Sequence, residues 1–245
     1  MGKRKIDKDE LTAVLEDHLR WLESSGKQGE KANFSHCDLS RHNLQQANFE
    51  HANLEGVDLH GVNLRTASFK GANLKAANMV NADLQWTIFL NADLSHINLE
   101  GASLHYANFS RSDLTRARMQ NVFLHNAYFL EATLKSADLR RASFRFTEMN
   151  SADLREANLS GAVIAAAKMI GADLSQSDLS NTEITMSNFE NATFRNSKFS
   201  NAYLLKSNFQ RADLRGTDFN GSKVESVDFS DARFSEEKRK VQAVG

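Results

Sequence analysis

The 245-residue sequence contains no proline and a single cysteine, Cys37. Without proline, no proline-rich linker divides the chain. One cysteine excludes an intramolecular disulfide framework, so nothing requires an oxidising compartment. Long apolar runs are missing too. The longest, AVIAAA at 162–167, falls far short of the ~20 residues of a membrane helix. The N-terminal MGKRKIDKDE lacks the apolar segment of a secretory signal. Nor does one sign of charge dominate: 30 Lys and Arg face 31 Asp and Glu. That balance argues against a strongly basic nucleic-acid site or a strongly acidic surface. The expectation is a soluble cytoplasmic protein with no membrane association and no direct binding to nucleic acid.

What the sequence does have is a period. In DLSRHNLQQANFEHANLEGVDL, residues 38–59, a large apolar residue stands at every fifth position. The register runs unbroken from Phe34 to Phe234, and all 41 positions are Leu, Phe, Met, Ile or Val. A half-buried strand repeats every two residues and a helix every ~3.6, so this is an internal repeat of another kind. Two places before each large residue sits a small one: 24 of the 41 are Ala and 11 are Ser, Thr or Cys. The residue between is Asp or Asn in 24 cases. Small, polar, large is one in–out–in step of a strand. The remaining two residues must turn a corner. The second of them is Gly or Asn in 16 of 40 cases, among them Gly56, Gly61, Asn81 and Gly101. Both tolerate the positive φ of a type II turn.

A second period sets the number of corners in a circuit. Phe49, Phe69, Phe89, Phe109 and Phe129 are spaced by twenty, as are Phe189, Phe209 and Phe229. Only Met149 and Met169 interrupt this column. Four units per circuit therefore stack like on like. The expected fold is an all-β solenoid of square section with about ten coils, roughly 48 Å long at ~4.8 Å per coil. The units ANLEG, ADLRR, ANLSG and GADLS resemble the A(D/N)LXX signature of pentapeptide repeat proteins. The resemblance spans residues 32–234 and implies a right-handed quadrilateral β-helix.

The chain then divides into an N-terminal cap at 1–30, the β-helix at 31–235 and a tail or cap at 236–245. Residues 7–25 read as an amphipathic helix with Leu11, Val14, Leu15, His18, Trp21 and Leu22 on one face. Asp7 and Glu10 suggest a capping box and Gly26 a stop. Trp21 and Leu22 are expected to close the first coil. A tail-to-tail homodimer is implied by the resemblance alone, since several family members dimerise through their C-terminal ends.

Chemistry is sparse. The repeated Asp and Asn residues read as acceptors for local backbone rather than as metal ligands or acid–base groups. His105 and His125, twenty apart, should meet at one corner, but no third metal ligand accompanies them. His42, in a small inward slot, reads as end packing, and Cys37 as inert. A basic column, Lys75, Lys135, Arg155, Arg195 and Arg215, has aspartates close by and reads as a charge-compensated edge. No nucleophile motif or phosphate-binding loop is present, and a filled coil leaves little concave volume. The expectation is a protein that is not an enzyme and needs no cofactor or metal.

The outward positions carry the functional signal. On the walls centred on the Leu54 and Leu59 columns they are polar, with Val80 the one bulky aliphatic. On the walls centred on the Leu64 and Phe69 columns stand Trp86, Ile88, Leu90, Tyr106, Phe123, Tyr128, Leu130, Phe146, Ile170, Met186 and Tyr203, with Val163 and Leu205 nearby. A one-sided group rich in aromatics reads as a partner-binding stripe on a non-catalytic interaction scaffold, although distorted corners could tuck some of these side chains back. The partner would be another protein or a second copy. The resemblance offers an alternative. Some pentapeptide repeat proteins mimic duplex DNA, bind DNA gyrase and protect it from quinolones. Their rods are acidic and some are interrupted by loops. Here residues 31–235 carry 21 basic and 22 acidic side chains, and no loop breaks the register.

Overall fold

The computed structural model describes residues 3–235 and is a β-helix with one N-terminal helix. Parallel pairing joins each residue to the one twenty places on, in four columns that define four walls. The Leu54 wall pairs Asn33 with Asn53, Asn53 with Asn73, and so on in steps of twenty to Arg233. The Leu59 wall starts Asp38–Asp58, the Leu64 wall Asn63–Asp83 and the Phe69 wall Asn48–Ser68. Most pairing is by single-residue bridges. Three-residue strands form on the Leu64 wall alone, in a sheet of five parallel strands: β3 (Ser143–Arg145), β4 (Val163–Ala165), β5 (Glu183–Thr185), β6 (Tyr203–Leu205) and β7 (Lys223–Glu225). That sheet spans four coil-to-coil steps, fewer than the ten coils expected to be built of short strands. It lies where the outward column, Ser143, Val163, Glu183, Tyr203 and Lys223, contains no Asp or Asn.

One repeat shows why the units fold as they do. Asn53 N donates to Ala32 O (3.0 Å), Leu54 N to Asn73 O (2.7 Å) and Gly56 N to Lys75 O (2.8 Å), tying the unit to the coils on either side. Val57 N closes the turn on Leu54 O at 3.1 Å. The remaining N–H, that of Glu55, donates to the Asn53 side-chain oxygen at 3.3 Å. All five donors are thereby satisfied, as buried and half-buried backbone demands. The same contact recurs at Asp93, Asp113 and Asp173. Asp and Asn are structural acceptors at this position.

The corner residue has positive φ at His36 and at every repeat from Gln46 to Asp231. Gly and Asn account for the minority. Thr66 (φ 58°), Trp86 (62°) and Phe146 (56°) occupy the same left-handed conformation, at roughly 1–2 kcal/mol each for a side chain bearing Cβ.

Inside, every large residue from Phe34 to Leu214 is buried. Phe49, Phe69, Phe89, Phe109 and Phe129 form a continuous stack, with centroids 5.1, 5.2, 4.7 and 4.7 Å apart. Phe189 and Phe209 follow at 4.8 Å, and Phe229 lies tilted at 5.5 Å. In the last coil Phe219, Val224, Phe229 and Phe234 are only partly buried. The expected C-terminal cap or dimer contact at 236–245 lies outside the described residues.

The N-terminal end differs from expectation in three ways. First, β1 (Arg4–Lys5) pairs in parallel with β2 (Cys37–Asp38) and covers part of the first coil's edge. Second, α1 (Lys8–Glu23) docks through Leu11, with Val14 and Leu15 packed against the core beside Ile6, and not through Trp21 and Leu22. The reason is the return of the chain across the last helical turns: a Cβ on Gly29 would lie 2.2 Å from Asp17 O. His18 is fully buried and receives the Ala32 N–H on Nδ1 at 3.2 Å, while Trp21 stacks on it at 5.8 Å. Third, only half of a capping box forms. Asp7 accepts from Glu10 N at 2.9 Å, but the Glu10 side chain pairs with Arg4. The helix ends with both Ser25 (φ 54°) and the expected Gly26 (φ 83°) in the left-handed region: Ser25 N bonds Leu22 O and Gly26 N bonds Trp21 O. No helix among the described residues is long and apolar enough to cross a membrane.

Two predictions follow from this end of the molecule. Gly29→Ala should displace the loop after α1 and lower the melting temperature sharply. Gly61→Ala, which meets nothing within 4 Å, should cost only about 1 kcal/mol of left-handed strain. Equal effects would contradict the close packing at Gly29. The second concerns pH. Burial, followed by His51 and Lys31 and opposed by the Glu50 backbone, holds the His18 pKa below 6.5. The unfolded chain then takes up a proton that the folded chain refuses, so stability is lost as pH falls below 6.5. Melting curves followed by Trp21 fluorescence should show this acid loss in the wild type and much less of it in His18→Gln; parallel curves would remove His18 as its source.

Candidate partner-binding surface

Outward alternation and the corner geometry place the stripe on two adjacent walls and the edge between them. Trp86, Tyr106, Phe146 and Met186 are corner residues, with φ of 62°, 60°, 56° and 50°. Trp86 and Tyr106 stack face to face, centroids 4.0 Å apart and planes 2° from parallel. Phe146 and Met186 are the most exposed large apolar residues, at 61% and 64%. Ile88, Tyr128 and Leu130 are exposed on the Phe69 wall and Phe123 on the Leu64 wall. Leu90, Ile170 and Tyr203 are half-buried, as are Val163 and Leu205. The Tyr203 hydroxyl bonds Glu225 at 3.3 Å, which turns this side chain along its own wall. The stripe is therefore widest between residues 86 and 146, and its far end is carried by Met186.

Of nine exposed large apolar residues among those described, eight belong to this surface; the ninth, Leu19, is on α1. Corner aromatics in the left-handed region gain little from burial, so the fold has no need of them.

Beside the corner lies a feature that the period of twenty also places together. The His105 and His125 rings meet edge to face, with centroids 4.7 Å apart, rather than flat upon each other. Phe123 lies 6.4 Å from His105 and 6.3 Å from His125. His125 Nε2 contacts Ser143 Oγ at 2.9 Å. Burial, then the neighbouring His105 and Arg145, holds the His125 pKa below its usual value. No group of three metal-ligating side chains occurs among the described residues.

The other candidates take structural roles. His42 Nε2 donates to the Ile6 carbonyl at 2.9 Å and fastens the N-terminal strand. Cys37 is buried, and burial pushes its thiol pKa up. Four of the five residues of the basic column are compensated, and Lys75 makes no ion pair among the described residues: Lys135 pairs with Glu156 at 3.3 Å and Arg155 with Asp153 at 2.6 Å. Arg195 and Arg215 share Asp213, each at 2.6 Å, with Arg215 the stronger influence holding that carboxyl far below the usual range. Against the expectation of little concave volume, the surface has open depressions of 480, 540 and 550 Å³. They lie beside Arg118 and Arg140, between α1 and the first coil, and beside Tyr203. The first is lined by polar side chains, Arg140 being engaged by Asp138 at 2.6 Å.

A solenoid of five-residue units, four to a coil, with Ala and Leu or Phe inside and Asp or Asn outside, defines the class. The pentapeptide repeat region model matches residues 27–109, and the pentapeptide repeats (8 copies) model matches segments from 92 to 235. The chain belongs to the pentapeptide repeat family. Among solved structures it is similar to HetL, a pentapeptide repeat protein involved in heterocyst differentiation regulation from the cyanobacterium Nostoc sp. strain PCC 7120. Identity is 21%, coverage 94% of this chain and 98% of that one, and the TM-score 0.50. It is also similar to QnrB1, a plasmid-mediated fluoroquinolone resistance protein, at 14% identity, 86% and 95% coverage and a TM-score of 0.47. Curated proteins yield no match.

If the corner side chains serve something other than folding, Phe146→Asn and Met186→Asn should leave thermal stability unchanged or raise it by about 1 kcal/mol, because Asn tolerates the left-handed conformation better. A loss of stability in both would mean that these side chains support the coil.

Proposed function

We propose that this protein is a non-catalytic interaction scaffold whose partner is another protein, docked along the corner between the Leu64 and Phe69 walls. One observation carries the reading: the exposed large apolar residues of the β-helix gather on these two walls, four of them at the corner between the walls. Isolated surface apolars are ordinary, but a contiguous aromatic group on one side of a rod is typical of an interface. The buried column of stacked rings supports this by making the rod a rigid platform, and the Asp, Asn and Arg columns engaged in backbone and ion-pair contacts leave few groups for chemistry.

The DNA-mimic alternative has less support. Such mimicry needs a continuous negative strip, whereas the aspartates of the Leu54 wall are interleaved with Arg155, Arg195 and Arg215.

Trp86→Asp combined with Phe146→Asp should keep the melting temperature near that of the wild type while removing the partners captured by tagged wild-type protein. If light scattering shows the wild type to be larger than a monomer and the double variant monomeric, the partner is a second copy. Unchanged partners and unchanged mass would reject the surface. Inhibition of gyrase supercoiling by both proteins at similar dose would support the DNA-mimic reading instead.

A further inference from the structure

Resting on the reading of this corner as a docking surface, we infer what the docked segment must carry: a carboxylate next to an aromatic or aliphatic side chain, received by His105, His125 and Arg145 between Phe123, Tyr106 and Phe146. The three basic residues occupy one position in three successive coils, so their backbones stand about 4.8 Å apart. Tyr106 and Phe146 directly follow His105 and Arg145 in the chain, at the corner, and Phe123 lies within 6.4 Å of both imidazoles. Apolar contact and charge are thus offered side by side.

The charge is uncompensated among the described residues, and here, unlike at the other unpaired cations of the rod, it stands beside exposed aromatic side chains. Arg65, in the same column two coils before His105, has its own carboxylate, Asp83, at 3.3 Å. In the basic column of the Leu54 wall, Lys135, Arg155, Arg195 and Arg215 are paired as described. Lys168, across the corner, is held by Glu148 at 2.8 Å. Among the described residues Arg145 makes no ion pair, and the only polar side-chain contact in the seat is His125 to Ser143. The nearest acidic groups on this wall are Asp83, engaged by Arg65, and Glu183, two coils beyond Ser143. A seat of this kind attracts a single anion set among apolar side chains. A nucleic-acid backbone would call for a run of free cations along the rod, and the paired basic column does not offer one.

The same geometry makes docking pH-dependent. Burial, then His105 and Arg145, disfavours the charged form of His125, and a bound carboxylate favours it. Binding then takes up a proton, and affinity rises as the pH falls from about 7.5 to about 5.5, across the range in which histidine titrates.

The test uses the full chain and calorimetric titration with three capped peptides that share a phenylalanine–leucine core. One interleaves the core with glutamate, one with glutamine and one with lysine. At about pH 5.5 the glutamate peptide should bind roughly tenfold more tightly than the glutamine peptide, and the lysine peptide more weakly than either. The glutamate advantage should shrink at about pH 7.5. Arg145→Gln and His125→Gln should each remove most of that advantage while leaving glutamine-peptide binding unchanged; His125→Gln should also abolish proton uptake, read from titrations in buffers of different ionisation enthalpy. Equal binding of the glutamate and glutamine peptides, lost in Phe146→Asp, would overturn the anion seat and leave the docking surface standing. No binding by any peptide, or binding that Phe146→Asp does not change, would overturn both.

Discussion

The five backbone N–H groups of each repeat govern this molecule. Three reach the coils on either side, one closes the corner, and the last is taken by the Asp or Asn two residues before it, as in the unit containing Asn53, Leu54 and Val57. Where Asp or Asn stands there, all five donors are paired, and an unpaired buried donor costs about 1–3 kcal/mol. From Gln46 to Asp231 the corner is left-handed whatever residue stands there. Ladder bonds worth about 1 kcal/mol each, several to a unit, outweigh the strain of Thr66 or Trp86.

Function in such a rod is confined to what points outward, because the interior is filled and the polar outward positions are largely occupied with backbone and ion pairs. Where an Asp or Asn is replaced by Phe123, Tyr128 or Val163, the wall loses a local acceptor and gains apolar surface. On the Leu64 wall the change coincides with three-residue strands from Ser143 onward. The replacement of an acceptor by an apolar residue, repeated across neighbouring coils, adds exposed apolar surface without breaking the register.

Much of this was legible from residue types and spacing. The inward set, the corner positions and the walls on which Trp86, Tyr106, Phe146 and Met186 stand all follow from periods of five and twenty. The Gly and Asn corners marked the left-handed position, although most residues there are neither. The strand Arg4–Lys5 was not legible, since two exposed basic residues carry no periodic pattern. The docking of α1 was misjudged because its amphipathic face is broad: Leu11 and Trp21 both belong to it, and only the path of the chain through Gly29 decides which end meets the coil. The spacing by twenty places His105, His125 and Arg145 in one column, but it points only to a histidine pair, because nothing local ties those residues to Phe123.

The sequence by itself determined the coil, its square section and the division of residues into inward and outward, because a strict repeat imposes one backbone geometry that no distant contact alters. The tertiary structure alone decided which outward side chains remain exposed, as Phe146 does and Tyr203 does not, which charges find partners, as Arg65 does and Arg145 does not, and how the helix seats on the first coil. Those outcomes depend on distances between neighbours twenty or more residues apart and on the space each side chain finds, and a one-dimensional pattern carries neither.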